Sequence, residues 1–155
     1  MHEPETRDDL FAPSLSQSAR MELPPGDKPW RLNSQFYVAF FGGPLAAGAI
    51  GYLNGTRLGV SSRSLIGIGA AGVVGFVLAI VLVATVESDF VRPRFMIAAT
   101  GVVAFLVVRE LQKDADRRYG LGRDEELAYD SLVQTGLVVA LAAGILSILV
   151  LSVVA

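Results

Sequence analysis

Side chains able to do chemistry are scarce in this 155-residue chain, and most lie outside its apolar stretches. Cysteine is absent and His2 is the single histidine. Thiol nucleophiles, thiolate metal sites and disulfides are therefore excluded, and one histidine cannot build a His-dependent triad or a histidine metal cluster. Acidic groups gather at Asp124, Glu125, Glu126 and Asp130. Carboxylates so placed could hold a cation, but they equally suit the positive N-terminal end of a helix, which is the reading adopted. Arg117 and Arg118 are candidates for lipid phosphates; Asp114 and Asp116 dilute them, and the group reads as a solvated face. No glycine-rich phosphate loop or dinucleotide fingerprint precedes a helix. The expectation is a protein that is not an enzyme and that carries no catalytic residue, cofactor or metal.

The composition sets what these residues are embedded in. A net charge of −2 from 13 basic and 15 acidic residues creates no field that would recruit nucleic acid. The 52% hydrophobic content and mean hydropathy of +0.51 exceed those of a soluble domain and point to a lipid bilayer as partner. Residues 1–31 hold Pro4, Pro13, Pro24, Pro25 and Pro29 among charges and serines, the pattern of a disordered polar tail. Within it Leu10 and Phe11 form an isolated apolar pair, read as part of a solvated linker. The acidic start lacks the basic residues of a cleaved secretory signal, so membrane attachment is expected from helices.

Residues 32–155 read as that membrane domain. Charge is absent from 32–56, from 64–86 and from 131–155, each stretch matching the ~20 residues needed to cross hydrocarbon. The stretch 95–108 is shorter, about 21 Å of helix at ~1.5 Å per residue. It becomes a span of about 91–111 if Arg92 and Arg94 snorkel to one headgroup layer and Arg109 with Glu110 occupies the other. A re-entrant path for this third segment would leave three spans. The fold expected is an all-α membrane protein, a bundle of four transmembrane helices with spans near 34–54, 64–86, 91–111 and 131–154. Trp30 and Arg31 precede the first span as interface anchors, as do Arg92 and Arg94 for the third. Pro44, directly after Gly42 and Gly43, is expected to begin the first helix or to kink it. Asn54-Gly55-Thr56 matches a glycosylation sequon by pattern alone. Beyond Arg109 the third helix is expected to run on into water, to break near Gly120, and to be followed by a fourth helix starting near Asp124.

Small residues recur at four-residue steps: Gly43, Ala47 and Gly51; Gly67, Ala71, Gly75 and Ala79; Gly136, Ala140 and Gly144. Such ridges let helix backbones approach closely where apolar side chains gain little from one another. The three long spans contain no Asp, Glu, Lys, Arg or His, which weighs against an ion path or proton relay. Gln134 is the polar residue in them best placed for an interhelical bond or for interfacial water. Lys and Arg on the two sides of a four-span topology differ by a single residue, so orientation stays open. The expected role is helix-helix association in a plasma or inner membrane, as an accessory or structural subunit of a membrane complex or as a homo-oligomer. The alternative is a small channel or transporter without an ionisable pathway residue.

Overall fold

A computed structural model describes residues 28–85, 93–121 and 129–154. Among them the chain is helical apart from its connections: a 3-10 turn, Leu32–Ser34, then α1 Gln35–Arg57, α2 Ser62–Thr85, α3 Pro93–Gly120 and α4 Val133–Val154. All four are long and apolar enough to cross a membrane by length and composition. α1 is the hub. It packs against α2, α3 and α4, α2 and α3 pack on each other, and the extensive packing of α4 is on α1 alone.

The path of α1 departs from the straight span expected of residues 34–54. Gly43 has φ 73° and ψ −167°, a backbone region open essentially to glycine, and Pro44 brings no amide hydrogen to bridge the gap. The chain reverses there. Were α1 continuous, Gln35 and Asn54 would stand about 28 Å apart at ~1.5 Å per residue. Instead the Trp30 backbone N–H donates to Asn54 Oδ1 at 2.7 Å, and Arg57 Nη1 donates to the Lys28 carbonyl at 2.9 Å. Ala39 and Ala47, four residues either side of Gly43, share one buried cluster with Ala104 and Phe105 of α3. α1 is thus a helical hairpin with arms 35–42 and 44–57, about 12 and 21 Å long, each short of the ~30 Å hydrocarbon core. Both of its open ends lie at one end of the bundle, called the near end.

Glycines let the neighbours close over the reversal. A Cβ added to Gly101 of α3 would lie 2.4 Å from the Ala39 carbonyl oxygen and 2.9 Å from Gly43 Cα. On the other side Gly48 and Gly72 meet backbone to backbone, and a Cβ on Gly72 would sit 2.8 Å from Gly48 Cα and 3.1 Å from the Pro44 carbonyl oxygen. The irregular backbone is therefore sealed by protein, the condition under which such a turn is tolerated at membrane depth.

The connections follow local chemistry. α1 ends where Gly59 adopts φ 66° and the Val60 N–H reaches back to the Gly55 carbonyl at 2.9 Å, a glycine-terminated Schellman closure. α2 is preceded by Ser61, whose Oγ accepts the Ser64 N–H at 3.3 Å and caps its first turn. α3 begins on Pro93, where a missing N–H costs nothing, and continues past the apolar run to Gly120. A fourth helix starting near Asp124 does not hold through 129–132, which are non-helical. There Asp130 pairs with Trp30, its N–H bonding the Pro29 carbonyl at 3.0 Å, while its carboxylate accepts the Ser131 N–H at 2.8 Å. These bonds hold the chain extended until Val133. Asp124, Glu125, Glu126 and the tail up to residue 27 lie outside the described residues.

Candidate functional site

Three features converge on the near end: a buried amide network, an apolar crevice and a polar groove. The network starts from the Trp30 N–H, which can only donate and so fixes the Asn54 carboxamide with Oδ1 towards it. Asn54 Nδ2 then donates to Gln112 Oε1 at 3.0 Å, and Gln112 Nε2 donates to the Gly51 carbonyl. One strand of hydrogen bonds thereby ties the segment before the hairpin to its returning arm and to α3. Asn54 and Gln112 are both fully buried. The sequon at Asn54 is accordingly no acceptor in the folded protein, since both ends of its amide are engaged.

Trp30 itself is 1% exposed, so it is not the lipid-facing anchor expected from sequence. Its ring belongs to the core formed with Val38, Ala46, Ile50, Leu132 and Ala143, and the Arg57 guanidinium stacks 3.8 Å from its centroid. Folding back of α1 is the reason, because it carries the segment around Trp30 onto the end of the second arm. Arg31 is exposed and lies over the Tyr129 ring at 5.8 Å. Arg94 is exposed at the far end of α3, and Arg92 falls outside the described residues.

The small residues singled out by spacing are distributed as follows. Gly43, Ala47 and Gly51 face α3, against Ile97, Ala104 with Phe105, and Val108 with Gln112. In α2, Ala79 is buried and Ala71 half-buried, while Gly67 faces Leu111 and Gly75 faces Pro44 and Ala104. In α4, Gly136 meets Val38, Ala140 meets Gly42, and Gly144 has open space beside it. A backbone-to-backbone crossing uses Gly48 and Gly72, each one position beyond the ridges, and α3 contributes Gly101 and Ala104, which the four-residue rule does not select. Gln134 is exposed.

No protein-family model, curated protein or solved structure matches the chain.

Because the hairpin stops partway along the bundle, α4 leaves an apolar crevice of about 1030 Å³ beside α1 and the start of α3. Its walls include Tyr37, Phe41, Ile97, Leu141 and Gly144, and Arg31 and Asp130 stand at the near end. The polar groove, about 630 Å³, lies between the segment 31–33, the outer part of α3 and Tyr129. Arg109, Lys113 and Arg117 line it with Glu110 and Asp116, and Arg31 borders it as well. Lys113 pairs with Glu110 at 2.9 Å. Asp116 accepts the Tyr129 hydroxyl at 3.1 Å; partial burial raises its pKa above the ordinary carboxylate value, and that hydrogen bond opposes the shift.

Proposed function

We propose that the chain is an integral membrane protein in which α2, α3 and α4 cross the bilayer while the α1 hairpin enters and leaves through the near face. Its task on this reading is helix-helix association, as an accessory or structural subunit of a membrane complex or as a homo-oligomer. The observation that carries the proposal is an inverted distribution of apolar surface. α2 and α4 are the most apolar helices, yet only 17% of each apolar window is buried, against 56% for α1, the least apolar. In water that arrangement would expose the wrong faces; among acyl chains or further apolar helices it is the stable one.

The hairpin also changes the charge count across the bilayer. Lys28, Arg31, Arg57, Arg63, Arg109, Lys113, Arg117 and Arg118 all belong to the near end, whereas Arg94 is the far-end base among the described residues. The positive-inside bias then favours a cytoplasmic near face in a plasma or inner membrane. Blue-native electrophoresis with mass spectrometry after mild detergent extraction tests the association. A species heavier than the 16.4 kDa chain, or a co-purifying subunit, is expected. A lone monomer would overturn it.

The hairpin favours a second reading, a small channel or transporter, since broken helices buried in protein line solute paths in such proteins. Its reversal carries backbone carbonyls and no ionisable side chain, so a path there would be lined by backbone dipoles. Flux through liposomes containing the purified protein decides this, and absence of flux at every pH removes it.

A further inference from the structure

We propose that the near face binds one anionic phospholipid, with its phosphate in the basic groove beside α3 and an acyl chain in the apolar crevice along α4. The proposal rests on the membrane placement above but not on helix-helix association.

Two observations carry it. First, the groove holds positive charge unspent on its own acids. Lys113 is paired with Glu110, and Asp116 accepts the Tyr129 hydroxyl, so that Arg31, Arg109, Lys113 and Arg117 outnumber the two acids in the lining and neither Arg109 nor Arg117 has an acidic partner among the described residues. Guanidinium groups facing a common space match a phosphodiester, which offers fixed acceptor oxygens and one negative charge. Arg109 directly follows the charge-free run of α3, so the groove begins at the depth of a headgroup phosphate.

Second, the polar and apolar spaces are adjacent. Arg31 lines both, and the neighbouring residues Tyr129 and Asp130 line the groove and the crevice respectively. An amphiphile with a charged head and a hydrocarbon tail fills the pair of spaces; a soluble anion would leave the crevice empty, and a neutral alkyl chain would leave the groove unmatched. The crevice volume of about 1030 Å³ is ample for an acyl chain. Its far-end wall is open at Gly144, where an added side chain meets nothing within 4 Å.

The full chain in a neutral maltoside micelle is titrated with dioleoyl phosphatidylglycerol or dioleoyl phosphatidylcholine, with binding read by native mass spectrometry and by the shift in unfolding temperature. The phosphatidylglycerol adduct is expected to form at about tenfold lower concentration and to raise the unfolding temperature more. Arg109→Gln with Arg117→Gln should weaken phosphatidylglycerol about thirtyfold and abolish the preference between the lipids. Gly144→Phe should weaken both lipids while keeping the preference, with Gly144→Leu as the substitute if the phenyl ring is not accommodated. Variants are compared only when their lipid-free unfolding temperature equals that of the parent. Equal binding of the two lipids, an unchanged preference in the arginine pair, or displacement of the lipid by glycerol phosphate alone would each overturn the proposal, the last by pointing to a free phosphate ester. Recovery of the chain in a detergent-free aqueous fraction would instead refute the membrane placement.

Discussion

Asn54 and Gln112 offer the sharpest test of the hairpin. Asn54→Ala leaves the Trp30 N–H and Gln112 Oε1 without partners in a buried setting. Each orphaned group costs ~1–3 kcal/mol, so a loss of about 2–6 kcal/mol is expected, a large fraction of the stability of a small domain. Gln112→Ala orphans Asn54 Nδ2, removes the side-chain bond to the Gly51 carbonyl and opens a void, giving a loss of similar size. The two losses should not add. Once either amide is gone the other has already lost a partner, so the double variant should recover about 1–3 kcal/mol relative to the sum. Reversible unfolding in mixed micelles, followed by Trp30 fluorescence, measures all corners of the cycle. Trp30 is the sole tryptophan and sits against the network, so it reports the opening directly. A single variant within ~0.5 kcal/mol of the parent, or strictly additive losses, would refute the argument that these amides hold the hairpin closed.

The remaining predictions follow from the same geometry. The chain has no cysteine, so single cysteines label cleanly: Asn33→Cys and Ser61→Cys should react from the same membrane face as Lys113→Cys, and Thr85→Cys from the opposite one. A straight first span would instead separate Asn33 from Ser61. Gly101→Ala should lower the unfolding midpoint by overpacking against the Ala39 carbonyl, at a cost of ~1–3 kcal/mol, while Gly69→Ala, whose Cβ meets nothing within 4 Å, should be neutral or stabilising by up to ~1 kcal/mol. Burial raises the Asp116 pKa in the fold, so its contribution to stability is complete below its unfolded value and declines as pH rises through the folded one. Asp116→Asn should flatten that decline in acid-range unfolding curves, and Tyr129→Phe, which removes the opposing hydrogen bond, should steepen it.

Composition and charge spacing made the four long apolar helices legible, because the absence of ions over such lengths is a property of each segment alone. The path of α1 was not legible in that way. Gly43-Pro44 permits either a kink or a reversal, and which one occurs is decided by partners distant in sequence, Gly101 and Gly72 over the turn and Gln112 across its open end. Trp30 is ambiguous in the sequence for the same reason: a tryptophan before a hydrophobic run is an anchor if the run crosses straight and a core residue if it folds back. Asn54 and Gln112 carried a usable signal, two amides at the ends of apolar stretches, but their pairing across 58 positions has no local signature. The start of α4 was placed too early because Asp130 bonds to the segment before α1 instead of capping a helix.

The reversal at Gly43 also constrains how the protein is made. When residues 32–57 leave the ribosome they are apolar enough to be threaded straight through, and the Ala39 and Pro44 carbonyls that Gly101 and Gly72 later shield have no cover. α2 supplies one half of that cover and α3 the other, both synthesised afterwards. α1 therefore holds its reversed course only against helices that follow it in the chain, which makes the third helix a template for the first of the four.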